Sequence, residues 1–154
     1  MRITVVAVGK LKERHWRDAA AEYLKRLGPY ATVRVVEVPD RDLSFDEDRA
    51  RSAEADGILR ALPDGAHVFV LDVTGTQRSS EELAGHLSDL TVRGASHVVF
   101  VIGGAAGLDR SVVTRAAERL SLGPLTLPHQ LARVVLLEQI YRAFRIIRGE
   151  PYHR

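Results

Sequence analysis

Short apolar runs rich in β-branched residues alternate along the chain with longer segments of helical spacing. The apolar runs predict strands at residues 3–8, 33–38, 67–73 and 97–102. The helical spacing predicts helices at residues 15–27, 45–61, 79–92 and 109–119. Ser79 and Asp109 are suitable N-caps for the last two of these helices. Strands that alternate with helices predict an α/β fold, a mostly parallel sheet flanked by helices.

One strand and one further helix add detail to this picture. The run Val98-Val99-Phe100-Val101-Ile102 is apolar on both faces, which predicts a central strand covered by helices on each side. A helix predicted at residues 130–147 is apolar nearly all round in its first half. Such a helix must be buried on more than one side, either inside the domain or against a second subunit. We favour the second subunit, because the helix lies near the end of a small chain.

Length and composition narrow the class of protein. A chain of 154 residues favours one domain, and we expect it to span residues 1–154. The chain has no cysteine, which excludes disulfides, thiolate metal sites and a cysteine nucleophile. No apolar stretch is long enough for a membrane span, and residues 1–3 run directly into a strand pattern instead of a signal peptide. We therefore expect a cytoplasmic protein.

The formal charge of +2 is distributed unevenly. Residues 10–26 carry six basic and three acidic side chains, and residues 129–154 carry five basic and two acidic side chains. Between them, residues 39–64 hold eight acidic and four basic side chains. If the two basic segments meet in the fold, they form a positive face suited to a polyanion. Alternatively, both are ordinary solvated helix faces.

Ligand sites in open parallel sheets lie at the carboxyl ends of the strands. Three segments are suggestive: Asp72 with Gly75, the glycine segment Gly103–Leu108, and Leu122–Leu127. Glycines allow the backbone to approach a ligand closely. The order Gly-Gly-x-x-Gly is neither a dinucleotide fingerprint nor a P-loop. Taken alone, such a segment is more often a turn or a packing site, and Asp72 could simply form a turn.

Two other kinds of chemistry have little support. His129, His153 and Glu138 lack a recognised metal-ligand spacing, and no cysteine supplements them, so we expect no metal. The Gly-x-Ser-x-Gly motif of one class of serine hydrolases is absent.

Three stretches resemble a single family: Val5–Lys10, Phe100–Leu108 and Leu125–Arg154. The most specific parts are Leu-Thr-Leu-Pro-His-Gln-Leu at residues 125–131, Glu-Gln-Ile-Tyr-Arg-Ala at residues 138–143 and the terminal Pro-Tyr-His-Arg. The family is the ribosomal RNA large subunit methyltransferase H family of the SPOUT superfamily, and the similarity covers essentially the whole chain.

The resemblance implies a homodimeric enzyme that methylates N3 of a pseudouridine in 23S rRNA within the ribosome. It also implies a C-terminal trefoil knot with S-adenosyl-L-methionine bound in it, an exception to the general absence of knots in folds. The implied cofactor-binding residues are Leu71, Gly103, Leu122, Gly123, Pro124, Leu125, Thr126 and Leu127. Where Ala106 stands the family often has a polar residue, which leaves a side-chain role at that position open.

The matched tail supplies candidate catalytic residues. N3 of a uracil ring carries a proton, so a nearby cation that favours the anionic ring and a base that accepts the proton would both help. We assign these roles to Arg142 and His153, and we expect Tyr152 to stack on the base or orient it. Alternatively, Arg142 pairs with Glu138 one turn earlier, and His153 is only a tail residue.

Two further functions stay open at this point. A ribosome-binding or assembly protein that kept the fold would bind rRNA without binding the cofactor. A tRNA methyltransferase is the second, although no added RNA-binding domain is visible in this short chain.

Overall fold

The computed structural model describes residues 1–42 and 46–152. Five strands form one parallel sheet: β1 (Arg2–Val8), β2 (Thr32–Val38), β3 (His67–Gln77), β4 (His97–Ile102) and β5 (Glu118–Ser121). Their order across the sheet is β2-β1-β4-β3-β5. The predicted α/β class with a mostly parallel sheet is confirmed, and β4 is central as its two-sided apolar pattern predicted.

Five helices connect or follow these strands: α1 (Arg14–Leu27), α2 (Glu47–Ala61), α3 (Ser80–Val92), α4 (Arg110–Arg115) and α5 (His129–Ile147). Four of them agree closely with the predicted helices, although residue 45, where we expected α2 to begin, lies outside the described residues. Both predicted N-caps are confirmed, because Ser79 accepts a hydrogen bond from the Glu82 amide and Asp109 accepts one from the Ser111 amide.

The predicted helix at residues 109–119 is wrong in its second half. α4 ends at Arg115, and residues 118–121 form β5 beside β3. The sequence Glu-Arg-Leu-Ser has one apolar residue, so it shows no hydrophobic period of its own. It forms a strand because it pairs with β3. β3 is also longer than predicted, since it continues to Gln77 after a register shift between Leu71 and Thr76.

The sheet separates two apolar clusters. Alternate residues of β4 illustrate this, because Val98, Phe100 and Ile102 belong to one cluster while Val99 and Val101 belong to the other. The first cluster is completed by α1, α3 and α5, and the second by α2 and α4. Covering both faces leaves the strand ends as the places where the sheet can present groups to a ligand.

α5 packs against α1 and α3, and the face that it turns toward them is fully buried at Leu136, Leu137 and Ile140. The packing also brings the two basic segments side by side. Arg148 on α5's C-terminal side donates a hydrogen bond to the Pro29 carbonyl (3.3 Å), just after α1. Across residues 1–42 and 46–152, no helix combines the length and the hydropathy that crossing a membrane requires.

Candidate functional site

A cavity of about 700 Å³ opens at the carboxyl ends of β3, β4 and β5. These three strands are neighbours in the sheet, so the segments that follow them meet at one edge. The cavity contains seven of the eight residues to which the resemblance assigned the cofactor: Leu71, Gly103, Leu122, Gly123, Leu125, Thr126 and Leu127. Pro124 lies in the same loop, but it is exposed and is not among the residues that line the cavity.

Two glycines give the cavity loops their shape. Gly107 has φ = +80° and closes a turn in which its amide donates to the Gly104 carbonyl (3.0 Å). Gly123 has φ = +123°, a conformation that other residues adopt only with strain. Its amide donates to Ser121 Oγ (3.1 Å), which fixes the turn between β5 and the loop. Neither glycine therefore places a side chain between its own backbone and the cavity.

Two side chains from α2 lie behind the glycine segment. Arg51 donates a hydrogen bond from Nη1 to the Ala106 carbonyl (3.0 Å). Glu54 is buried next to Gly104, and its Oε2 accepts a hydrogen bond from the Arg41 amide (2.9 Å). Sequence reasoning missed both residues. They lie in an acidic, exposed-looking helix, and only the packing of α2 on the sheet places them behind the loop.

Asp72 lies at the register shift of β3 and lines the cavity. Its Oδ1 accepts hydrogen bonds from the amide and the hydroxyl of Thr74, each 2.9 Å long, and Arg119 lies 3.7 Å from Oδ2. The Thr74 amide, the Thr74 hydroxyl and Arg119 together outweigh burial and hold the pKa of Asp72 below its ordinary value. The contacts to Thr74 are those that a turn-forming aspartate makes, but Asp72 lies within β3 and not in a turn after it. Its carboxylate is ionised at neutral pH.

His129, the first residue of α5, also lines the cavity. From the sequence, His129 was considered only as a metal ligand beside Glu138 and His153. His129 and Glu138 are nine residues apart on one helix, so roughly 13 Å separates them along its axis. His153 lies outside the described residues. The sequence did contain a signal for His129, because only Pro128 separates this residue from the loop Leu122–Leu127.

Arg142, Glu138 and Tyr152 form a second cluster, which we call the tail cluster. Glu138 Oε1 accepts hydrogen bonds from Arg142 Nε (3.0 Å) and Nη2 (2.6 Å) and from the Tyr152 hydroxyl (3.1 Å). The Arg142 guanidinium also lies over the Tyr152 ring, 4.7 Å from its centroid. The predicted alternative pairing of Arg142 with Glu138 is thus present, and it brings Arg142 and Tyr152 together.

The electrostatics of the tail cluster fix two protonation states. The hydrogen bond to Glu138 raises the pKa of Arg142 above its ordinary value, so Arg142 is a cation at any physiological pH. Burial, followed by the negative charge of Glu138, raises the pKa of the Tyr152 hydroxyl. Tyr152 is therefore a neutral phenol near pH 7, able to donate a hydrogen bond but not to act as a base.

The tail cluster and the cavity are far apart in one chain. Arg142 follows His129 by thirteen residues of continuous helix, a rise of roughly 20 Å. Arg142 and Tyr152 are also not among the residues that line the cavity. The structure therefore brings together seven of the eight predicted cofactor-binding residues and, separately, two catalytic candidates, but it does not bring the two groups to each other.

Comparison with known proteins gives consistent results. A family model described as "Predicted SPOUT methyltransferase" matches residues 1–153. A protein named ribosomal RNA large subunit methyltransferase H from Listeria monocytogenes serotype 4a (strain HCC23) is 52% identical over 159 residues, covering 100% of both chains. The protein of the same name from Acetivibrio thermocellus (strain ATCC 27405) is 46% identical with the same coverage. The resemblance identified from the sequence is confirmed.

Solved structures agree on the fold. A probable methyltransferase from Bordetella pertussis Tohama I has a TM-score of 0.61 and 17% identity, covering 93% of this chain and 96% of that one. A probable methylase family protein from Haemophilus influenzae Rd KW20 has a TM-score of 0.55 and 15% identity, covering 99% of this chain and 70% of that one. At these identities the similarity concerns the fold alone.

Proposed function

The chain belongs to the SPOUT methyltransferase family, and we propose that it methylates N3 of a pseudouridine in 23S rRNA, with S-adenosylmethionine as the methyl donor. The observation that carries this proposal is the cavity at the ends of β3, β4 and β5, which collects Leu71, Gly103 and the loop Leu122–Leu127. Relatives about half identical over their full length are named as ribosomal RNA large subunit methyltransferases, which supports the substrate class.

The cavity suits a molecule of the size and character of S-adenosylmethionine. Its volume of about 700 Å³ lies within the range of small-molecule sites. Leucine side chains offer apolar surface to a purine, and the glycine and loop backbones offer hydrogen-bonding groups. When bound, the cofactor supplies a methyl group on an already activated sulfonium, so the residues around it chiefly have to align it. The proposal therefore requires no metal.

The target nitrogen needs more help than the methyl donor. The N3–H bond must break as the N3–C bond forms, and the proton has to go to a base. Arg142, a permanent cation, favours the anionic ring, and His153 is our candidate for the base. Tyr152 stays protonated, so we assign it to stacking on the base or orienting it, not to proton transfer.

We propose that the protein acts as a homodimer in which one subunit's tail cluster faces the other subunit's cavity. The separation of roughly 20 Å between Arg142 and His129 within one chain supports this arrangement. A half-buried apolar strip on α5, formed by Leu131, Val134 and Val135, runs from the cavity to Glu138. Leu125, beside the cavity, is 80% exposed. A second copy packed along this strip would cover both surfaces.

Other parts of the proposal rest on the family resemblance. They are a single domain over residues 1–154, a trefoil knot around the cofactor loop, and action on the ribosome in the cytoplasm. The adjacent basic segments of α1 and α5 provide a positive surface that suits phosphate contacts with rRNA.

The first test is calorimetric titration of the purified protein with S-adenosylmethionine, followed by transfer of a labelled methyl group to ribosomes and mapping of the label. Binding and transfer to N3 of a 23S pseudouridine are the expected results. Binding without transfer to 23S rRNA would point to another RNA, such as tRNA. No binding would instead favour a ribosome-binding protein that kept the fold.

A further inference from the structure

A polar cluster separate from the tail cluster lies at the amino-terminal ends of the strands, opposite the cavity. It consists of His67 at the start of β3, His86 on α3 and Glu118 at the start of β5. Glu118 Oε2 accepts hydrogen bonds from Nε2 of His67 (2.5 Å) and from Nε2 of His86 (2.6 Å). Neither the methyl-transfer chemistry nor the RNA contacts proposed above use these residues. We call them the histidine cluster.

We propose that the histidine cluster is a binding site for a Zn²⁺ ion. Two imidazole nitrogens and one carboxylate oxygen converge there, with the three atoms within 4.8 Å of one another. Two histidines and one glutamate are an established ligand set for zinc, with bonds of about 2.0–2.2 Å. A tetrahedral ion with such bonds holds its ligand atoms roughly 3.4 Å apart. In the cluster, Glu118 Oε2 lies closer than this to both Nε2 atoms, at 2.5 and 2.6 Å. A small rotation of Glu118 would therefore admit the ion.

The surroundings hold the ligands in place while leaving them reachable. Each of the three side chains is 23% exposed, which gives an ion access from solvent. Both imidazole rings pack edge-on against Phe69, with centroid distances of 5.0 Å for His67 and 5.7 Å for His86. The three ligands also come from three different elements of the fold. An ion here would therefore require little ordering of the chain beyond the rotation of Glu118.

When no ion is bound, Glu118 determines where the hydrogens of the two imidazoles lie. Burial by itself raises the pKa of Glu118, but hydrogen bonds from His86 and His67 outweigh burial and hold the pKa below its ordinary value. An ionised carboxylate only accepts, so each Nε2 carries a hydrogen when the ion is absent. Zinc would displace both hydrogens from Nε2, by release or by a shift to Nδ1.

One cation already lies beside the cluster. Arg78 donates a hydrogen bond from Nη2 to the other oxygen of Glu118, Oε1, at 3.2 Å. This contact leaves Oε2 for the ion, but the positive charge of Arg78 opposes that of Zn²⁺. The arrangement therefore predicts that removal of the Arg78 charge strengthens zinc binding, a result that a purely structural cluster would not give.

An ion in the cluster would have three protein ligands and a water molecule as the fourth, and its position would link two strands of the sheet. β3 runs from His67 toward Leu71, and β5 runs from Glu118 to Ser121, directly before Leu122. The ion would therefore tie together the starts of two strands that lead to the cavity. Of the residues considered as metal ligands from the sequence, none belongs to this cluster. His67, His86 and Glu118 are separated by 19 and 32 residues in the sequence, and the fold alone brings them together.

The test uses the full chain without an affinity tag, stripped of metal with a chelator and titrated with Zn²⁺ by calorimetry. We expect one ion per chain, a rise in Tm on binding, and a visible absorption spectrum of a tetrahedral site with Co²⁺. Mg²⁺ should not bind, because two of the three ligands are imidazoles. No zinc binding by the wild-type chain would overturn the proposal, whatever the outcome of the methyl-transfer assay.

Variants locate the ion. His86→Gln and His67→Gln should each weaken zinc binding by at least about 100-fold, whereas Arg78→Gln should strengthen it. His15→Gln is the matched control, since His15 is an exposed imidazole on α1 and its loss should leave zinc binding unchanged. Circular dichroism of the metal-free variants checks that each is folded. Zinc affinity unaltered by both cluster histidine variants would place the ion elsewhere and refute the assignment.

Discussion

The Tyr152 hydroxyl donates a hydrogen bond of 3.1 Å to Glu138 Oε1, the oxygen that also accepts hydrogen bonds from Arg142. One carboxylate oxygen thus fixes the positions of both described catalytic candidates. Glu138 has no role of its own in the proposed chemistry, yet the tail cluster depends on it. Substitutions of Glu138 can therefore test how much the positions of Arg142 and Tyr152 contribute to methyl transfer, because they leave both of these side chains in place.

Glu138→Ala should lower the methyl-transfer rate by about 10- to 100-fold, because Arg142 and Tyr152 lose the group that positions them. The affinity for S-adenosylmethionine should not change, since Glu138 is not among the residues that line the cavity. Single-turnover kinetics and calorimetry measure the two effects separately. Glu138→Gln keeps an acceptor oxygen and should recover part of the rate. Equal losses in both variants would argue against a positioning role.

Removal of residues 152–154 should abolish most turnover and leave cofactor binding intact. The truncation deletes Tyr152 and the proposed base His153, and loss of a general base typically costs about 10²- to 10⁴-fold. The measurement is labelled methyl transfer to ribosomes together with calorimetry on the same preparation. Full activity in the truncated chain would show that the tail is not catalytic.

A mixing experiment tests whether the active site combines two subunits. Gly123→Ala impairs the cavity, and Arg142→Ala impairs the tail cluster. When S-adenosylmethionine is kept well below saturation, each variant alone should retain only a small part of the wild-type rate. When the two are unfolded and refolded together, half the dimers are mixed and each mixed dimer regains one of its two sites. The expected recovery is about a quarter of the wild-type rate. No recovery, with mixed dimers verified by mass spectrometry, would mean that each site belongs to one chain.

Gly123→Ala should also weaken S-adenosylmethionine binding by about tenfold or more. Gly123 has φ = +123°, and strain of about 1–3 kcal/mol is expected for a side chain there. Gly85→Ala is the control, because Gly85 lies within α3 with nothing within 4 Å of an added Cβ. That substitution should raise the free energy of unfolding by about 0.5–1 kcal/mol and leave binding unchanged. Calorimetry and urea unfolding measure both, and unchanged binding in Gly123→Ala would remove the loop from the site.

Asp72→Asn should lower stability in a pH-dependent way. The pKa of Asp72 is below its ordinary value in the folded chain, so its contribution is present above the pKa of the unfolded state and is lost as pH falls through the folded pKa. The difference between wild type and variant should be below about 1 kcal/mol at pH 7, because solvent screens the group. It should stay constant down to about pH 5 and shrink below about pH 4. Urea unfolding at several pH values checks this, and a difference that grows on acidification would contradict it.

The sequence alone determined the elements with strong local signals. Four strands, four of the five helices and the N-caps Ser79 and Asp109 were predictable because hydrophobic period and capping residues act over a few positions. The family resemblance also identified residues of the cavity, since its motifs are continuous in the chain.

Only the tertiary structure decided the features that depend on distant pairing. β5 has too few apolar residues to show a period and becomes a strand because β3 offers it hydrogen bonds. The strand order makes neighbours of β4, β3 and β5, so their ends form one cavity. The rigid length of α5 separates Arg142 from that cavity, and the packing of α3 brings His86 to Glu118. These relationships join residues far apart in the chain, and no local pattern of hydrophobic and polar residues encodes them.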